Sequence, residues 1–178
     1  MVLPTAYLPP RSYMEMLMRE PATIEQMETF EKQTFRNRCT IAIQNEKLKI
    51  KNYELVRLTV PVKKVEHKQL TRDIEICYQT RWQHQHWITL VSTYQHTPYF
   101  QYFADYLRPF YEKEYKWLLD LNDELNATIV SLLKKEKPTA NSQQLIARTN
   151  DWSGQIWTDK HPWQTEVSIL DTLFDEKY

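Results

Sequence analysis

The segment TRWQHQHWITLVSTYQHTPYFQYF, residues 80–103, carries His84, His86 and His96, three of the five histidines in the chain. Imidazole can ligate a metal or exchange a proton near neutral pH. On a strand, His84 and His86 would share a face and could chelate one ion. Thr80 and Gln83, however, form a T-x-x-Q capping box that predicts a helix from this point. Two positions along a helix span about 200°, so the two rings point nearly opposite ways. Helical metal ligands sit three or four residues apart. No Cys or Asp is placed to complete a set, so no metal is expected. His86 borders the face that carries Leu90 and Tyr94, His84 lies beside Val91, and His96 falls beyond the helix.

The elements that must position these side chains follow from the change of period along the chain. VLPTAYL reads as a short strand, and PPRSYMEMLMRE as a short amphipathic helix with Tyr13, Met14, Leu17 and Met18 on one side. A strand is expected around Thr23–Glu28. Cys39, Ile41 and Ile43 alternate with Thr40 and Ala42, and Leu48 and Ile50 alternate with lysines. QNEK between these runs predicts a hairpin turn at Asn45. Val56, Leu58, Val60 and Val62 predict another strand, with Pro61 at an edge or end. Ile74, Ile76 and Tyr78 predict one more.

From Thr80 the period is helical. Thr97-Pro98 predicts a second helix start, and Pro109 breaks that helix or opens the next. Leu118, Leu121, Leu125, Ile129 and Leu132 form a long apolar stripe that ends at Lys134 and Lys135. A helix is expected near Ser142–Arg148, and a docked terminal helix in EVSILDTLFDEKY with Val167, Leu170 and Phe174 inward. Strands first and helices second predict an α+β fold. A mostly β N-terminal half, with an antiparallel or mixed sheet, should pack on a helical C-terminal half as a single domain over residues 1–178.

Composition narrows the function. Lys plus Arg equals Asp plus Glu at 23 each, so there is no global electrostatic footprint for nucleic acid or an anionic membrane. No nucleic-acid partner is expected. The chain has one glycine, Gly154. A Walker loop, a GxGxxG dinucleotide turn and a GxSxG nucleophile elbow are therefore absent. Cys39 and Cys77 read as two buried thiols. No signal-peptide pattern and no run of about 18 apolar residues is present. A cytoplasmic protein without stable membrane insertion is the expectation.

Six motifs then occur in a fixed order: TAYLPPRSY, EKQTFRNRCTI, TVPVKK, RWQHQHWITLVSTYQHTPYFQYF, LLDLN and SILDTLF. The succession runs from Ala6 to Phe174 and resembles the WbqC-like family, specifically its short bacterial members. The resemblance implies a role in surface-polysaccharide synthesis of the O-antigen type. The implied reaction is acyl or aminoacyl transfer, glycine included, to an activated sugar. It matches the family's Y-L-P to Tyr7, Leu8 and Pro9, its lysine to Lys32, and its N-R pair to Asn37 and Arg38. His86 takes the place of the histidine of H-W. Tyr94 follows, then Pro98, Tyr99 and Phe100, Asn122, and the terminal Asp171. The chain departs from the family at Pro4 and Ser12, where many members have glutamine and glycine, and at Asn45-Glu46, where they have asparagine–glycine. A family carboxylate before the lysine is matched by Glu25 or Glu28.

The residues themselves set the chemistry those matches could do. Arg38 is a bidentate binder of carboxylate or phosphate, and Lys32 adds a point charge. A sugar nucleotide or an acyl phosphate suits both. The alternative is an arginine on a solvated sheet face or in a structural salt bridge. His86 could be a general base that deprotonates an amine or hydroxyl, with Glu28 orienting it or acting itself. The alternative is a structural histidine tied to Asn122 or to a backbone carbonyl. Asn122 inside its leucine stripe could bind substrate or cross-link core elements. Tyr94 and Tyr99 could stack on a sugar or base, or belong to the core. An enzyme predicts one cleft where Lys32, Asn37, Arg38 and His86 converge. A non-catalytic binding or scaffold protein of envelope biogenesis predicts them dispersed or packed. A small-molecule partner such as a sugar nucleotide or an amino acid follows from the first reading. No cofactor is indicated.

Overall fold

In the computed structural model, described over residues 2–19, 22–44, 53–97, 100–135 and 168–173, strand β1 (Val2–Pro4) leads through a buried connection into helix α1 (Arg11–Arg19). Tyr13 and Met14 are the buried side of α1. The Tyr13 hydroxyl donates to the Pro4 carbonyl at 2.7 Å, which folds the helix back on the strand that precedes it. Strand β2 (Thr23–Glu25) then pairs parallel to β1.

Strands β3 (Arg38–Gln44) and β4 (Tyr53–Thr59) form an antiparallel ladder in which Cys39 faces Leu58 and Ile41 faces Val56. Cys39, Ile41 and Leu58 are buried, so the alternation in the sequence does set the core face. The strand paired to β3 is Tyr53–Thr59. The residues of the hairpin turn expected at Asn45 and of its second strand lie outside the described residues.

The segment from Ile74 to Tyr78 is not the regular strand its alternation suggested. A 3-10 turn at Thr71–Asp73 precedes it, and only single bridges, Val62 to Ile76 and Glu75 to Trp117, follow. Ile74 and Ile76 are still buried. Their alternation records burial of an extended segment between two neighbours. The Ile74 carbonyl accepts from Leu118 N–H and Ile76 N–H donates to the Lys116 carbonyl, and these two bonds make the single bridge of Glu75 with Trp117.

Helix α2 (Trp82–Tyr94) buries Trp82, His86, Leu90 and Tyr94, one residue every four. Its N-cap is Arg81, and no side chain caps it. The expected Thr80–Gln83 box is therefore absent. The Gln83 amide instead donates to the carbonyls of Phe110 and Lys113, at 3.3 and 2.6 Å. These contacts tie α2 to helix α4 (Pro109–Glu112), which Pro109 opens. Helix α3 (Phe100–Leu107) buries Phe100, Phe103 and Leu107. Pro98 and Tyr99 lie outside the described residues. The Thr97 hydroxyl donates back to the Tyr94 carbonyl at 2.6 Å.

Helix α5 (Leu118–Lys135) carries the anticipated stripe, with Leu118, Leu121, Leu125, Ile129 and Leu132 all buried. Each such leucine contributes roughly 1.5–3 kcal/mol on burial. Helix α6 (Ile169–Leu173) docks Ile169 and Leu170 in the core. The helix expected at Ser142–Arg148, and Val167 and Phe174, lie outside the described residues. The architecture is α+β, and one apolar cluster runs from Leu3 through Ile41, Leu90 and Leu118 to Leu170.

Candidate functional site

The chain between β1 and α1, TAYLPP, is buried throughout and forms one wall of a cavity of about 200 Å³. Two prolines in this stretch remove donors that burial would leave unpaired. Distant segments satisfy part of the remaining backbone. Tyr7 N–H donates to the Phe35 carbonyl at 2.9 Å, and the Pro9 carbonyl accepts from Ile169 N–H at 2.8 Å. Ser168 N–H in turn reaches the Thr40 carbonyl of β3 at 2.7 Å. The C-terminal segment is thus stitched between the N-terminal segment and β3.

The second wall is the turn that leads into β3. Asn37 holds it from within. Its side-chain oxygen accepts from Gln33 N–H at 3.1 Å, and its amide donates to the Val60 carbonyl at 3.0 Å. Arg36 is buried at 2 % exposure and makes a two-pronged pair with Glu28, at 2.7 and 2.6 Å. Asn122 on α5 donates to the Arg36 carbonyl at 2.8 Å and to the Thr5 hydroxyl at 3.1 Å. Asn126, one turn further, donates to the Ala6 carbonyl at 2.9 Å. Both walls therefore hang on the same face of α5. Two lining residues adopt positive φ although neither is glycine: Leu8 at 42° and Gln33 at 62°. Such conformations are uncommon, and they collect where surrounding contacts enforce them, often at ligand sites.

The floor is the β3–β4 ladder. Arg38 lines the cavity half-buried, with its Nε donating to the Thr59 hydroxyl at 3.0 Å. Arg57 lines it as well, from the exposed end. Cys39 also touches it, but burial and the nearby Asp171 push its thiol well above the ordinary range, so it is not a nucleophile as it stands.

His86 does not line this cavity. Its ring sits behind Tyr7, edge-on to Trp82 at 5.1 Å between centroids and near Tyr111. The Tyr7 hydroxyl lies 2.9 Å from Nδ1 of His86 and 3.0 Å from the Tyr111 hydroxyl. Which atom of each pair donates follows the imidazole tautomer. Burial holds the imidazole pKa down to about 4, against a weaker opposite pull from the Thr59 backbone. Burial likewise raises the pKa of Tyr7 and Tyr111. The trio is neutral at physiological pH.

The residues singled out from sequence therefore divide. Tyr7 and Arg38 line one cavity, where the Thr59 hydroxyl holds Arg38, while His86 stands behind Tyr7. Glu28, Asn37 and Asn122 are engaged in holding the turn at residues 33–37. Tyr94 donates to Asp171 at 2.7 Å, and Ala42 N–H donates to the same carboxylate oxygen at 3.1 Å, joining α2, α6 and β3. Lys32 is exposed on the turn outside the cavity lining. Tyr99 lies outside the described residues. Among the described residues no three His, Cys, Asp or Glu side chains group in a way that could hold a metal. Arg36, Arg57 and Tyr111 were not anticipated. EKQTFRNRC holds two arginines two positions apart, and nothing local says which will be buried. Tyr111 meets Tyr7 across 104 residues, which no spacing can signal.

These features define an α+β protein with a small, arginine-bearing cavity between its N-terminal segment and a two-stranded ladder. The chain belongs to the WbqC-like protein family, whose model matches residues 5–160. No curated protein and no solved structure matches it. Among the described residues no helix is long and apolar enough to cross a membrane.

Proposed function

We propose that the protein is a small transferase of surface-polysaccharide assembly that moves an acyl or aminoacyl group, glycine included, onto an activated sugar in the cytoplasm. The observation that carries this reading is the cavity itself. Its lining brings Tyr7 together with Arg38, two residues matched independently to the family, and its walls are held by Asn122 of α5, by Arg36 and Asn37 of the turn, and by Glu28. Preorganised walls of this kind lower the ordering cost of binding. In the reaction the acceptor's amine or hydroxyl forms a bond to the acyl carbon. The bond from that carbon to its phosphate leaving group breaks, the anion departs, and the acceptor's proton goes to solvent. His86 acts here as a positioning residue that fixes Tyr7 through its Nδ1.

A ligand screen by thermal shift tests the proposal, using sugar nucleotides, amino acids and ATP, followed by mass spectrometry for an acylated sugar. Stabilisation by a sugar nucleotide, with loss of product in Arg38→Ala, is expected. No stabilisation by any of them, together with wild-type behaviour of Arg38→Ala and His86→Ala in cells, overturns it.

One observation favours a second reading, a non-catalytic binding or scaffold protein of envelope biogenesis. His86, Asn37 and Asn122 are all committed to internal hydrogen bonds, which leaves the cavity lining without an imidazole or carboxylate base among the described residues. Ligand binding without any product separates this reading from the first.

A further inference from the structure

Resting on the cavity reading above, we propose that Arg38 and Arg57 together hold the phosphate or diphosphate group of the ligand. In the ladder Arg38 pairs with Thr59 and Thr40 pairs with Arg57, so the two arginines stand on one face as diagonal neighbours. Long side chains at such positions reach each other. Both line the cavity, and no carboxylate is among the described residues that line it. Neither makes an ion pair with a described residue, and among the described residues Arg38 is held by the Thr59 hydroxyl. Elsewhere in the fold Glu28 pairs with Arg36 and Glu75 with Lys63, so these carboxylates are engaged away from the two arginines. Two like charges side by side repel, and an anion between them relieves the repulsion.

The number of arginines and the size of the cavity select the anion. A carboxylate carries one charge and is satisfied by one guanidinium fork, whereas a phosphate or diphosphate carries two or more and accepts two forks. The cavity volume of about 200 Å³ lies below the roughly 300–1,000 Å³ of sites that enclose a whole small-molecule ligand. It therefore takes one group, and the remainder of the ligand lies outside the mouth. The exposed position of Arg57 places that cation at the mouth, where it meets the more distal phosphate.

Calorimetric titration of the full chain at low salt tests this, with inorganic pyrophosphate, uridine diphosphate and acetate as probes. Pyrophosphate and uridine diphosphate should bind at least tenfold more tightly than acetate. Arg57→Ala, an exposed change that leaves the core untouched, should weaken both by tenfold or more, and Arg57→Lys by less. Arg72→Ala, on an exposed residue away from the cavity, should change neither by more than twofold. Equal affinity for the two phosphate probes supports recognition of the phosphate group alone. Tighter binding of uridine diphosphate supports the same site with a nucleoside attached. Pyrophosphate affinity in Arg57→Ala within twofold of the parent, or acetate binding as tightly as pyrophosphate, overturns the proposal. Diphosphate binding that depends on Arg57 without any transfer product would sink only the transferase. Transfer with unchanged kinetics in Arg57→Ala would sink only the arginine pair.

Discussion

The Tyr7 hydroxyl hydrogen-bonds Nδ1 of His86 across 2.9 Å, although 79 residues separate the two in the chain. This bond joins the wall of the cavity to the buried face of α2. It also places the imidazole where charging it is unfavourable.

That placement has a pH signature. The folded imidazole titrates near 4, against about 6.5 in an unfolded chain. Between those values the unfolded state binds a proton that the folded state does not. The stability contributed by neutral His86 is therefore complete above pH 6.5 and is lost as pH falls towards 4. The loss amounts to about 3 kcal/mol. Urea unfolding at a series of pH values should show this slope in the parent, and the slope should be missing from the corresponding His86→Phe curve. Parallel curves would mean that the ring is charged, or solvated, in the folded protein.

Tyr7→Phe keeps the ring and removes the hydroxyl. His86 then keeps a buried ring nitrogen without its hydrogen-bond partner, at a cost of about 1–3 kcal/mol. Thermal unfolding should show a lower Tm for Tyr7→Phe, and Tyr7→Phe combined with His86→Phe should cost less than the sum of the two single changes. Additive effects would show that the bond carries no coupling.

The Glu28–Arg36 pair is the strongest single clamp on the turn beside the cavity. Glu28→Ala leaves a guanidinium at 2 % exposure without its carboxylate, which should destabilise by roughly 3–5 kcal/mol. Glu28→Ala with Arg36→Met should recover much of that loss, because no buried charge remains. A double-mutant cycle in urea measures it, and a coupling near zero would rule the clamp out.

The two thiols should differ in reactivity. Cys39 is buried with its thiol pushed up, whereas Cys77 is only half-buried. A disulfide reagent at pH 8 should modify one thiol quickly, and peptide mapping should find it at Cys77. Cys39 should react only at the rate of unfolding. Fast labelling of both would contradict the packing of β3.

Much of the fold was legible because burial imposes a period. The stripe on α5, the buried side of α1 and the alternation of Cys39 with Ile41 each reflect one element against one core. Local rules failed where a side chain had a better distant partner. Gln83 matches a capping box by spacing, yet its amide reaches the carbonyls of α4. Ile74 and Ile76 alternate like a strand, yet their backbone bonds go to the start of α5. Of the candidate site, Asn122 as a cross-link and His86 as a histidine tied to a backbone carbonyl were among the alternatives that spacing allowed. The choice between those roles and a catalytic one turns on neighbours that spacing cannot name.

The sequence by itself determined which faces are apolar, that Gly-dependent phosphate loops are absent, and that His84 and His86 point apart, since all three depend only on residue type and local periodicity. Only the tertiary structure decided that Arg36 is buried while Arg38 and Arg57 reach the cavity, and that His86 stands behind Tyr7. Those outcomes depend on hydrogen bonds and ion pairs between segments far apart in the chain, whose meeting is set by how the whole core packs.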